Sequence, residues 1–357
     1  MSRLTCFLWM IVLCVCSLVT GADRFELLAG GSVSAVGIPA VEAKLLEPFG
    51  AEYDEKDQLW IIEMAKGNRL LRVDRDGKLM HMAGKMGGRQ EGEEETLVDG
   101  RALEATFHGP HNLAILRPEE IFVGVTWNGR IRVWMERTDY VACMAGYTVQ
   151  QDKARNEGPY CVTLSPDKKT LYIANLLQVY ARDMSSGDMR VVAGNGKKGV
   201  PVDGARAIDS PLVDPRAVTV DKDGNVYILE RNGHALRVVD SSGLIYTVVN
   251  RSGKKGTGLE EGVALDIGLN GPKHLCIDVD GCVIIADAES HTIRRYCPKK
   301  RTITRLAGTG KSGKGDLSLP PRECMLNRPH GVSLQRSTGQ LVITDSYNDR
   351  VLLLRHE

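Results

Sequence analysis

Between residues 48 and 354 the chain repeats one phrase of short apolar runs. A proline opens each copy: PFGAEY at Pro48, PHNLAI at Pro110, PYCVTL at Pro159, PRAVTV at Pro215, PKHLCI at Pro272 and PHGVSL at Pro329. These runs are too short for helices, and apolar positions recurring with a period of two predict strands half-buried on each face. A turn follows, such as DKDG (residues 221–224) or DVDG (278–281). Its glycine accepts positive φ without a steric penalty, so an Asp-Gly pair between apolar runs signals a hairpin. A second run comes next (LWII, IFVG, LYIA, VYIL, VIIA, LVIT), and then a third (RLLRV, RIRVW, QVYAR, ALRVV, TIRRY, RVLLL). A fourth precedes Ala-Gly in LMHMAG, YVACMAG, MRVVAG and TITRLAG, with IYTVVN as its degenerate member.

The prolines are spaced by 62, 49, 56, 57 and 57 residues. That period is slightly longer than the ~40 to 50 residues of common propeller repeats. Four short antiparallel strands make one blade, and six blades account for residues 23–357. The predicted fold is all-β: a six-bladed β-propeller of four-stranded antiparallel blades in a single domain. The last copy has only three strands, while FELLAG (residues 25–30) is a fourth strand with no blade of its own. The N-terminal strand is therefore expected to complete the last blade, removing the edges an open ring would leave.

Residues 1–22 carry Arg3, an apolar stretch and then Thr20, Gly21 and Ala22, the layout of a cleavable signal peptide, which predicts a secreted or periplasmic protein. Without them Lys and Arg fall from 46 to 45, balancing the 45 acids. A neutral chain lacks the positive field that nucleic-acid binding needs, and no second apolar run suits a membrane once the signal is gone. Six cysteines remain (Cys143, Cys161, Cys276, Cys282, Cys297, Cys324). They are sparse for the length and lack a Cys-x-x-Cys pair, so they read as small buried side chains rather than a disulfide framework.

Laid out this way, the sequence resembles the NHL-repeat six-bladed propellers, of the exported bacterial type. The family's proline-led strand, Asp-Gly-Asn turn, apolar strand, Asn-His and Leu-Arg can be read in PRAVTVDKDGNVYILERNGHALRVV (215–239), and again in PKHLCIDVDGCVIIADAESHTIRRY (272–296). The upstream Ala-Gly, Asp-Gly and proline phrase recurs in AGNGKKGVPVDGARAIDSPLVDP (193–215). The resemblance implies the fold and leaves function open, because the family includes enzymes, sensor domains and binding modules.

In a propeller the loops entering the innermost strand and those joining the second and third strands share one mouth of the central channel, where ligands usually meet the ring. Two residue series should point there. After each proline come Phe49, His111, Tyr160, Arg216, Lys273 and His330, with His274 beside Lys273. Ending the second strand are Glu63, Val125, Asn175, Glu230, Asp287 and Asp345. In the first series the imidazoles suit zinc, while Tyr, Arg and Lys can polarise a substrate. An amidating lyase with an NHL-like propeller implies zinc held by histidines of separate blades, but only single histidines match here. In the second series the family pattern implies Asp, which can hold the turn to the third strand, while the longer Glu63 and Glu230 can reach the channel and hold calcium. Val125 and Asn175 break any acidic ring.

The glycine-rich loops carry Lys197, Lys198, Lys254, Lys255, Lys311 and Lys314, opposite an acidic run EGEEE (91–95). GTGKSGKG (308–315) nearly spells a phosphate-binding loop, but Gly315 replaces the magnesium-binding hydroxyl and every blade has such a loop. The first expectation is thus a monomeric binding or scaffold module for a protein or anionic glycan, without a cofactor. The alternative is a metal-dependent lyase or hydrolase with zinc or calcium in the channel, His111, His274 and His330 being the ligands.

Overall fold

A computed structural model describes residues 23–87, 99–147 and 158–355; the signal-like segment and the acidic run 91–95 lie outside the described residues. Six antiparallel sheets form the blades of a closed ring. Within each, the proline-led strand is innermost and the order a, b, c, d runs outward. Strands a of successive blades contact one another all the way round, blade six against blade one included. The seam is as expected: Arg24–Ala29 pairs with Arg350–Arg355, Phe25 facing Leu354 and Leu27 facing Leu352. Three blades add a two-residue fifth strand on the outer edge, at Gly100–Arg101, Ala205–Arg206 and Gly262–Val263. Among the described residues the only helical elements are six short 3-10 turns.

The expected alternation of buried and half-buried positions holds for outer strands such as Leu244–Val249. It fails for strands b. Leu59–Glu63, Val226–Glu230 and Val283–Asp287 are buried at every position, since both faces of the sheet meet a neighbouring blade. Trp60 and Trp134 pack across one such boundary, their ring centres 5.0 Å apart. Residue for residue, strand b is therefore the core, and any polar group placed there must find a partner inside it.

Candidate functional site

Each repeat proline starts an inner strand, or precedes it by two residues, at the same end of the ring, so the following side chain projects over the mouth. All six of these residues, Phe49, His111, Tyr160, Arg216, Lys273 and His330, line one cavity of about 290 Å³. Their rings touch in blade order. Phe49 stacks on His330 at 4.0 Å and meets His111 edge-on at 5.6 Å. His111 meets Tyr160 edge-on at 5.1 Å, and the Arg216 guanidinium lies over the Tyr160 ring at 3.6 Å.

Met64, Trp127, Arg231 and Tyr347, from the loops after strands b, complete the wall. Sequence reasoning missed them. Their signal was positional: each lies one or two residues beyond the end of a strand b.

The cavity is electropositive. Arg216, Arg231 and Lys273 surround it, opposed by Asp214, which pairs with Arg216 (3.2 Å) and Arg231 (2.7 Å), and by Glu289, 3.5 Å from Lys273. Burial and then the fields of Arg216 and Arg231 bring Lys273 down to about 8. Burial, reinforced by Arg216, lowers His111 to about 3. Burial and Lys273 hold His330 well below its ordinary value. Both imidazoles are therefore neutral at pH 7. His111 Nδ1 lies 2.9 Å from the Gly109 carbonyl and 2.7 Å from Thr126 Oγ1, and His330 Nδ1 lies 2.7 Å from the Arg328 carbonyl. A carbonyl only accepts, so Nδ1 carries the proton and Nε2 is left as an acceptor.

His274 reaches the mouth cavity from below the rim series. One residue deeper on its strand, it donates from Nδ1 to the Val332 carbonyl (3.0 Å), while Nε2 lies 3.5 Å from Asn112 Nδ2 and 4.0 Å from Cys161 Sγ on other blades. The imidazole separates the mouth from a second cavity of about 980 Å³ at the opposite end, and lines both. In that lower cavity Glu52 is pushed up to about 7 by burial, against the pull of Arg336 and Lys168.

The second series corrects the sequence reading. Glu63, Glu230, Asp287 and Asp345 are fully buried and absent from the mouth wall. Each carboxylate accepts the backbone N–H of the residue two before its own repeat proline: Leu46 (2.7 Å), Val213 (2.6 Å), Asn270 (2.7 Å) and Asn327 (2.6 Å). Each also faces an arginine in or leading into strand c: Arg69 at 2.7 Å, Arg237 at 2.9 Å, Arg294 at 3.9 Å and Arg350 at 2.7 Å. The acids thus pin the loop entering strand a, and the longer glutamates turn toward arginine instead of the channel. Removing two charges from water together is tolerable only because each finds the other.

The six lysines sit on exposed turns that run from an outer strand to the next inner strand, on the mouth side. Among the described residues no group of three or more His, Cys, Asp or Glu converges as a metal site. His111 and His330 both pack on Phe49, and His274 lies a layer below.

Ring, repeat and mouth together define a six-bladed propeller with a ligand-sized opening at one end. A family model, the teneurin NHL domain, matches residues 98–260. Protein SUPPRESSOR OF QUENCHING 1, chloroplastic, of Arabidopsis thaliana is 24% identical over 281 residues, 72% of this chain and 26% of its own length. Human teneurin-1 is 31% identical over 113 residues, 28% of this chain and 4% of its own length. This chain therefore spans only a small part of the relatives it matches.

Among solved structures, an auxiliary nutrient binding protein from Bacteroides thetaiotaomicron superposes with a TM-score of 0.67 at 15% identity, covering 94% of this chain and 77% of that one. Virginiamycin B lyase from Staphylococcus aureus gives 0.53 at 13%, covering 93% and 99%. Identities this low speak for the fold alone. The chain is a six-bladed β-propeller, and residues 98–260 of it are similar to the teneurin NHL domain.

Proposed function

We propose that the protein is an exported recognition module whose mouth takes up an anionic group, a carboxylate or sulfate, of a protein or glycan partner. The observation that carries this is the convergence of Arg216, Arg231 and Lys273 on an aromatic-walled cavity, opposed by Asp214 and Glu289. Its volume, about 290 Å³, suits one side chain or one sugar ring, with Tyr160 and Phe49 as stacking surfaces. The signal-like N-terminus and the likeness to a nutrient binding protein support export and binding.

Calorimetric titration with uronate-containing and sulfated oligosaccharides and with acidic peptides tests the reading. Lys273→Met or Arg216→Gln should weaken binding about tenfold, some 1.4 kcal/mol each. Because Lys273 sits at about 8, affinity should fall as pH rises from 7 to 9, as the ammonium loses its proton, and stay flat in Lys273→Met. Affinity indifferent to both substitutions and to pH would overturn the reading.

The second reading, a metal-dependent lyase or hydrolase, draws on the free Nε2 atoms of His111 and His330. Stoichiometric zinc in the purified protein, lost in a His111→Ala, His330→Ala double variant, would favour it.

A further inference from the structure

Cys282 and Cys297 lie far from the mouth, on the wall of the lower cavity. Cys282 immediately precedes strand b of blade five, and Cys297 is the last residue of strand c. These strands pair antiparallel with Val283 opposite Tyr296, so one step further sets Cys282 opposite Cys297.

The backbone orientation at this step suits a covalent link. The Cys282 N–H donates to Asp278 Oδ1 (2.8 Å) and its carbonyl accepts from the Asp278 N–H (2.9 Å). Both groups therefore point toward strand a, which leaves the step between Cys282 and Cys297 a non-hydrogen-bonded cross-strand position. Such pairs have Cα atoms about 4.5 Å apart, inside the roughly 4.4 to 6.8 Å that disulfides span. Each thiol is among the groups that shift the titration of the other.

We propose that Cys282 and Cys297 form a reversible dithiol/disulfide pair. It is a redox modification site independent of the anion-binding reading of the mouth.

Cys297 is the attacking group. It is half-buried at the cavity, whereas Cys282 is almost fully buried. Burial pushes the Cys297 thiol up, but the backbone N–H groups of Lys300 and Lys299, the Cys282 thiol and Arg295 outweigh it and hold it below the ordinary value. The co-reactant is a low-molecular-weight disulfide. The Cys297 thiolate attacks one of its sulfurs, forming a mixed disulfide and releasing one small thiolate. That thiolate takes the proton of Cys282, whose sulfur then attacks Cys297 Sγ and expels the second small thiol. Two protein thiols are oxidised, one small disulfide is reduced to two thiols, and the proton from Cys297 goes to the second leaving group.

The product would tie the end of strand c to the Asp278 turn at the cavity lip, where Arg295 already bridges Asp278 and Asp280, each at 2.6 Å. The other described cysteines sit elsewhere. Cys161 and Cys324 are buried in the core, Cys276 faces the lower cavity from a strand a, and Cys143 sits on an outer strand beside Asp99.

The test uses the full folded chain, reduced and then equilibrated with glutathione disulfide. Alkylation and peptide mapping should show one new link, Cys282 to Cys297, reversed by dithiothreitol, while Cys143, Cys161, Cys276 and Cys324 stay alkylatable. Cys282→Ser should leave Cys297 as a stable mixed disulfide with glutathione, since the resolving thiol is gone. Cys297→Ser should abolish both the link and the adduct. Two thiols that remain fully alkylatable in the wild-type chain, or a link between any other pair, would overturn the proposal, and neither outcome depends on a variant folding.

Discussion

Two series of residues, each set by its place in the repeat, have opposite fates. The series ending strand b carries an acid in four of six blades, and the structure uses it as scaffold: a buried carboxylate facing an arginine and holding one backbone N–H. The series after the proline differs in nearly every blade, with Phe, His, Tyr, Arg, Lys and His, and it walls the mouth. Within one repeat chain, a side chain that recurs performs a task every blade shares, such as tying a loop to a sheet. A position that changes from blade to blade is free of that task, and five different kinds of side chain at six positions around one opening make a surface that no single repeat could present.

The largest effect should come from breaking the scaffold series. Arg237→Leu leaves Glu230 charged and buried without its partner, and removing one member of such a pair costs about 3 to 5 kcal/mol. Urea denaturation of that variant beside Lys273→Met checks the contrast, since Lys273 is only half-buried and leaves like charges behind; its cost should be about 1 kcal/mol or less. Equal losses would mean that the mouth is scaffold too.

The four clamps also differ among themselves. Asp345 lies 2.7 Å from Arg350 and is further held by Asn348, whereas Asp287 lies 3.9 Å from Arg294. Burial accordingly raises Asp287 from 3.8 to about 7, with the Asn270 N–H and Arg294 only partly offsetting it. For an acid with a raised folded value, the native state binds more protons than the unfolded chain between those limits. This group's contribution to stability is thus full below about 4 and lost as pH rises to about 7. Asp287→Asn keeps the shape without the charge, so it should flatten that part of the pH–stability curve and cost less at pH 7 than Asp345→Asn. Thermal unfolding midpoints across pH 4 to 8 for both variants measure this. A larger loss in Asp287→Asn would reverse the ranking of the clamps.

What the sequence made legible follows from the range of the interactions involved. Blade number, strand order and the seam at Phe25 and Leu354 are written in local patterns and their spacing. The mouth was legible because a proline marks, to within two residues, the entrance of each inner strand. Depth was not. The acids of strand b read as rim groups because nothing local says that two neighbouring sheets bury both faces, and their arginines lie five to seven residues on, across a turn. His274 sits one residue deeper than the series after the proline and lines both cavities, a depth that no local pattern distinguishes from the rim. The Cys282 and Cys297 pair needed only the register of one hairpin, counted back from the turn at residues 288–291, and that alignment would have found it.

The smallest effect separates the mouth from its surroundings. Lys197, Lys254 and Lys311 are exposed on the loops around it, where charges more than a Debye length away, about 8 Å at physiological salt, are largely screened. They act on encounter, not on the bound pose, because a flexible exposed ammonium gains little from a fixed contact. Replacing all three with serine should lower the association rate for an anionic partner by less than about tenfold at low salt and barely at high salt, reducing the slope of rate against ionic strength. The dissociation rate should stay put, because the mouth cations Arg216 and Lys273 set it. Stopped-flow or surface-plasmon measurements across a salt series resolve the two rates. An unchanged slope would remove the loops from recognition and leave the mouth to act alone, whereas a faster dissociation would make the lysines part of the binding surface and erase the boundary between steering and holding.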